Sequence, residues 1–251
     1  MVANEMKYQF ELTLDRRLGA SAQGYNNEEL SYLLTEAQLN VMFNKYSGLS
    51  NNISFEGNEK RRKELGKLVT NKPLIPSLYQ TGVHTNGTFY DLPYRNTEEC
   101  WLVVEERAFI SSTTNSCISN KEIEVKPITH DQFTKNINNP FKKPYEKLVW
   151  RLDIGFNPNN NSKIHELITG DNITINSYII RYIKKPKPII IGTSGSVRTI
   201  EGYSLVTTID CELDSIIHMD IVDEAVRLAT KDSREYPQYQ AENLENKINN
   251  N

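Results

Sequence analysis

GNEKRRKELGKLVTNKPLIP, residues 57–76, is the stretch on which the fold class turns. Residues 57–69 place Leu65, Leu68 and Val69 on one side and a run of Lys and Arg on the other, which predicts a helix with an apolar inner and a basic outer face. Pro73 and Pro76 then end it, because proline lacks a backbone N–H and its ring clashes with the preceding turn. The pattern upstream of this point is helical. Downstream it becomes strands and turns.

Working back from the junction, Leu30, Leu33, Leu34, Ala37, Val41 and Met42 form one apolar stripe running to about Tyr46. Asn26 and Asn27 supply a capping side chain ahead of it, and Glu28 and Glu29 sit where acids favour the positive end of a helix. Met6, Phe10, Leu14 and Leu18 are four apart, with Tyr8 and Leu12 on an adjoining face, which predicts another helix over 4–18. The alternation Tyr8-Phe10-Leu12-Leu14 would also suit a strand; the four-residue spacing favours the helix, and Gly19 stops it.

Working forward, Asn86-Gly87 is a hairpin signal between VHT and TFYDL. CWLVVEERAFIS (100–111), EIEVKP (122–127), KLVWRLDIGF, KIHELIT and NSYIIRYIKKPKPIII read as strands, with NPNNNS (157–162) as a loop. Residues 215–231 restore the helical period through Ile217, Ile221, Val222, Ala225, Leu228 and Ala229, capped by Asp214 or Ser215. The order predicts an α+β fold: an N-terminal helical region at 1–72, a β-rich region at 73–232 closing with the helix at 215–231, and an extended tail at 233–251 with almost no apolar surface.

The 251 residues suffice to bury about 70% of the unfolded surface, yet only 38% are hydrophobic and the mean hydropathy is −0.55. Such polarity suits a shape with extended parts or a chain that completes its core against neighbours. A net charge of −3 gives no support to nucleic-acid binding by global charge. The opening MVANEMKYQFELTL has no apolar run of signal-peptide type, and PIIIG is too short to span a bilayer, so neither a targeting segment nor a membrane partner is expected. Cys100, Cys117 and Cys211 are widely spaced, without CxxC, and read as reduced, mostly buried thiols.

No catalytic constellation emerges. His84, His130, His165 and His218 lack metal-ligand spacing. The one HE pair, His165-Glu166, falls on a predicted strand, where neighbours point to opposite faces; surface or capping roles account for the histidines. GTSGS (192–196) lacks a phosphate-loop signature and a following helix. Glu105-Glu106 and Glu98-Glu99 read as solvated, and EKRRKELGK (59–67) as a solvated helix face. No metal, cofactor or catalytic residue is assigned.

Two features suit contact with a partner. In THDQFTKNINNPFKKPYEKLVWRLD (129–153), Asn139-Pro140 and Lys143-Pro144 make a rigid elbow between a short helix and a strand, because a residue before proline avoids the helical region. Phe141 and Tyr145 are spaced to pin that path onto apolar neighbours. A preordered surface loses little entropy when it docks. In IKKPKPIII, prolines at alternate positions fix an extended arm unsuited to central pairing. The candidate contacts are Phe141, Lys142, Lys143 and Tyr145 on the elbow, Lys184, Lys185 and Lys187 on the arm, and Tyr236, Tyr239 and Leu244 on the tail.

KPITHDQFTKNINNPFKKP…VWRLD, HELIT and YIIRYIKKPKPIII resemble structural proteins of crAss-like tailed phages infecting Bacteroides. So do SAQGYNNEELSYLLTEAQ, FEGNEKRRKEL and the closing CELDSIIHMDIVDEAVRLA, so that the resemblance covers most of residues 4–232. It implies a head–tail connector or adaptor ring of twelve copies below the portal protein, in the virion, assembled in the host cytoplasm. It further implies contacts with neighbouring ring or tail proteins, phage DNA passing without sequence-specific binding, and neither enzyme activity nor cofactor. A tail-hub or tail-tube subunit is the alternative within the virion, separable by six-fold symmetry. An enzyme or binding protein is the alternative outside it, and would carry a pocket lined by His or Cys.

Overall fold

The computed structural model describes residues 1–18, 24–47, 59–78, 84, 86–93, 98–159 and 162–232. It has the expected α+β composition, and its contacts divide it into two compact units, Met1–Leu68 with Pro186–Asn251, and Val69–Lys185. The expected boundary at 72 thus differs from the division by a few residues. The C-terminal helix, expected with the β-rich region, belongs instead to the unit of the N-terminal helices.

That first unit is built from α1 (Ala3–Leu18), α2 (Asn27–Ser47), α3 (Glu59–Leu65) and α5 (His218–Asp232), with α5 packed on α1 and α2. Asn26 and Glu29 cap α2 reciprocally: Glu29 N donates to Asn26 Oδ1 (2.8 Å) and Asn26 N to Glu29 Oε2 (2.9 Å). The six apolar residues of the α2 stripe are all buried, as are those of α5 and, on α1, Met6, Phe10 and Leu14. Asp214 caps the turn Ser215–Ile217 ahead of α5 by accepting from Ile216 N (3.2 Å). The basic helix α3 is less solvated than expected: Arg61 and Glu64 are buried, and Lys45 reaches from α2 to Glu64 (3.6 Å) and to Asp220 (2.9 Å).

The proline arm runs through this unit as buried extended chain, with Ile189, Ile190 and Ile191 in the core. Pro186 and Pro188 cannot donate, so a continuous strand ladder is closed to it, although Ile190 exchanges both backbone bonds with Ile209 (3.0 and 2.9 Å). A polar row on α2 serves the neighbouring groups. Asn27 Nδ2 donates to Gly192 O (3.4 Å), Ser31 Oγ accepts from Ile191 N (2.9 Å), Thr35 Oγ1 donates to Ile189 O (3.3 Å) and Gln38 Nε2 donates to Lys187 O (2.9 Å). Steps of four, four and three keep these side chains on one helical face. Among the described residues, the remaining regular structure here is the 3-10 turn Gly66–Leu68 that follows α3 and the two-residue pair β8 (Thr199–Ile200) and β9 (Tyr203–Ser204).

The second unit is a seven-stranded sheet. Its strands are β1 (Val69–Leu74), β2 (Gly87–Asp91), β3 (Cys100–Ser112), β4 (Lys121–Pro127), β5 (Val149–Phe156), β6 (Lys163–Ile168) and β7 (Ile173–Lys184). They lie in the order β1-β7-β3-β4-β5-β6-β2. Pro73 is accommodated because β1 is an outer strand. Beyond it, Pro76 bridges Tyr90 of β2, and Ser77 N donates to Phe89 O (2.7 Å), so the sheet curls until its first and last strands are linked. Every strand contributes to the enclosed core, among them Leu74, Tyr90, Ile110, Val125, Val149, Leu167 and Ile180. The Asn86-Gly87 turn does lead into β2, but that strand pairs with β6, and two residues of VHT lie outside the described ones.

Among the described strands, only β4 and β5 pair in parallel. Parallel neighbours cannot be joined by a tight turn. Residues 128–148 are the crossover that joins them, and α4 (His130–Asn136), capped by the Thr129 side chain, lies within it. Phe133, Ile137 and Leu148 pack on Trp150, Leu152 and Ile168, covering the outer face of β5 and β6.

Candidate functional site

The elbow closes this crossover. Asn139 Oδ1 accepts from Phe141 N (3.0 Å), and Asn139 O accepts from Lys142 N (3.0 Å) and Lys143 N (2.9 Å). Tyr145 and Leu148 exchange both backbone bonds. Pro144 is buried against Gly170, where a Cβ would stand 2.9 Å from Pro144 O, so only glycine lets the two segments approach this closely. The expected rigidity is present, but not the expected anchors. Phe141 is 94% exposed and Tyr145 half exposed, because Asx-turn bonds, Pro144 and the Phe133–Trp150 contact already hold the path. The two aromatic rings therefore face outward from a fixed base, beside exposed Lys142 and Lys143.

Lys184, Lys185 and Lys187 are half-buried. Lys185 N donates to Glu99 O (2.9 Å), while Lys187 Nζ lies 3.3 Å from Glu212 Oε1 and its N donates to Glu212 Oε2 (3.2 Å). These contacts are internal, and the division between the units falls within the arm, leaving Lys184 and Lys185 in the unit of the elbow and Lys187 in the other. Tyr236, Tyr239 and Leu244 lie outside the described residues.

A polar group inside the curled sheet, buried except for Asp153 at its exposed rim, escaped the sequence reading. Arg151 Nη1 donates to Glu106 Oε1 (2.6 Å), and Arg151 Nη2 lies 3.6 Å from Asp153. His165 bridges Tyr178 Oη (3.0 Å) and Asp153 Oδ1 (3.1 Å). Burial pushes the Glu106 carboxyl up against the pull of Arg151; the hydrogen bond from His165 holds Asp153 below the usual range; burial raises the Tyr178 phenol. Glu106 is thus a correction, buried rather than solvated. Strand alternation carried the signal, since Glu106 shares its face with Ala108 and Ile110. The same rule separates His165 from Glu166, which faces the other way and meets His84. His165 and His218 are buried, not on the surface; His218 reaches Leu213 O (3.2 Å). The described His, Cys, Asp and Glu residues include no group of three or more able to hold a metal, and no described helix is long and apolar enough to cross a membrane.

The Arg151–Glu106–Asp153–His165 network is internal to the sheet, whereas Phe141 projects outward from a fixed turn. The model of the phage tail ring protein 3/4 family matches residues 1–240. The chain belongs to that family. It is 32% identical over 206 residues to ring protein 3 of Bacteroides phage crAss001, covering 80% of this chain and 83% of that protein. It is also 31% identical over 242 residues to ring protein 4/5 of the same phage, covering 91% and 92%. The resemblance read from the sequence is therefore shown, and this ring-family chain is a phage structural protein.

Proposed function

We propose that the protein forms a homo-oligomeric ring of twelve copies below the portal at the head–tail junction of the virion, linking capsid to tail around the DNA channel. Family membership carries this reading, supported by relatives of nearly the same length that are named as ring proteins. The role is structural, without catalysis or cofactor. Portal and neighbouring ring or tail proteins are its partners, DNA passes without sequence-specific contact, and assembly takes place in the host cytoplasm. A net charge of −3 suits such a channel, since strong rings of cations would brake DNA through phosphate contacts.

The contacts we assign to assembly are Phe141, Lys142, Lys143 and Tyr145, with the arm lysines 184, 185 and 187 and the tail residues Tyr236, Tyr239 and Leu244 as further positions. Imaging of virions, with the mass of the purified full-length chain in solution, tests the reading. A twelve-fold ring next to the portal is the expected result. A six-fold assembly would assign it to the tail tube or hub, and a monomer absent from particles would end the proposal.

A further inference from the structure

The second unit carries an apolar groove of about 390 Å3 where β1 runs toward β2, walled by Pro73, Ile75, Pro76, Leu78, Leu92 and Pro93. Ile75 is 82% exposed and Leu78 fully so, although both belong to residue types that are normally buried. Lys72, Leu74, Asp91, Asn157 and Asn159 complete its lining. We infer that this groove is the socket for the elbow of a second copy of the chain, which seats Phe141 in it.

The positions of the two features argue for this pairing. The elbow lies where β5 begins and β6 ends, since Pro144 and Tyr145 touch Gly170 and Trp150 pairs with Ile168. The groove lies at the opposite end of the same strands, at Asn157 and Asn159 beyond β5 and at Asp91, which pairs with Ile164 near the start of β6. Eight residues of β5 separate the two ends, about 26 Å of extended chain. A projection and a recess at opposite ends of one unit cannot satisfy each other within a copy. They form a head-to-tail contact, the heterologous type that generates a ring when the rotation closes.

The chemistry is complementary too. The elbow offers an exposed aromatic ring flanked by Lys142 and Lys143; the groove offers aliphatic walls and a polar margin of Asn159 and Asp91, the latter held in place by Asn157 Nδ2 (3.1 Å) and Ser162 Oγ (2.8 Å). Lys72, the cation at the groove, is engaged by Glu98 at 2.7 Å. Because backbone hydrogen bonds and two prolines already fix the elbow, docking orders little more than side chains.

This inference rests on the ring reading, and one experiment separates the two. In full-length protein carrying Cys117→Ser, Phe141→Cys and Leu78→Cys are made singly and then mixed, and a short bis-maleimide is added. Covalent dimers in the mixture but in neither single variant are expected. Phe141→Asp, on a side chain exposed enough to spare the fold, should raise the concentration needed for assembly by at least about tenfold while circular dichroism is unchanged. Rings that form without that cross-link, cross-linking of Phe141→Cys with itself, or rings indifferent to Phe141→Asp would each overturn the inference and leave the ring reading standing. A chain that stays monomeric at all concentrations would remove both.

Discussion

His84 Nδ1 lies 2.9 Å from Glu166 Oε2, and the Glu166 side chain has no exposure to solvent. The imidazole also lies against Phe133, centroids 4.0 Å apart, so one histidine joins the end of the β2 turn to both β6 and α4. Gly87 makes room for the carboxylate, because a Cβ there would collide with Glu166 Oε1.

His84→Ala should therefore cost about 1–3 kcal/mol by leaving a buried acceptor without its donor. Glu166→Gln in the same background should recover part of the loss, since a neutral amide is cheaper to bury than a carboxylate. Urea unfolding of the four members of the cycle measures the coupling. An unchanged midpoint for His84→Ala would show that the contact contributes nothing.

His218 predicts a pH dependence. Its ring is buried and bonded to Leu213 O, and burial is the main reason its pKa lies below the ordinary histidine value. As pH falls, the unfolded chain takes up the proton first, at about 6.5. The contribution of this group is complete above that pH and is lost as pH drops toward the folded value. Wild type should lose stability relative to His218→Gln between pH 7 and 5, read as a difference in urea midpoints. Parallel curves would assign the acid loss to other groups.

How much of this was legible in the sequence follows from the range of the forces involved. The α2 stripe, the α5 stripe and the Asn26 cap were readable because they depend on residues three or four apart. Strand β1 was harder: VTNKPL has a proline and three polar side chains, and it is a strand because β7 pairs with all six of its residues. Nothing local could assign α5 to the N-terminal helices, across more than 170 residues of chain. The elbow's position was legible from its prolines, whereas the outward aim of Phe141 was not, because it follows from Phe133 and Leu148 having already covered Trp150.

The three cysteines should separate cleanly by reactivity. Burial pushes Cys100 to about 12 and Cys211 to about 11, and only the thiolate attacks a maleimide or disulfide reagent. Cys100 is buried, Cys211 partly so and Cys117 exposed, which corrects the expectation of mostly buried thiols. One fast equivalent at pH 7.5 is expected in native protein, abolished by Cys117→Ser, with the other two released by denaturant. Two fast equivalents would show that one of the buried sites opens readily.

The polar row on α2 makes the sharpest prediction about what holds the proline arm. Ser31 and Gln38 are buried and face backbone groups that no strand partner can serve. Ser31→Ala leaves Ile191 N without its acceptor, and Gln38→Leu leaves Lys187 O without its donor. Each should cost about 1–2 kcal/mol, near the loss of one buried hydrogen bond. Both act on one extended segment, so their effects should be less than additive if the first loss already frees the arm. Hydrogen exchange of the Ile191 amide is the direct measurement: Ser31→Ala should accelerate it, whereas substitutions on the exposed side of α2 should not. Unchanged protection at Ile191 would mean that the Ile190–Ile209 backbone pair and the packing of Ile189, Ile190 and Ile191 hold the arm without Ser31.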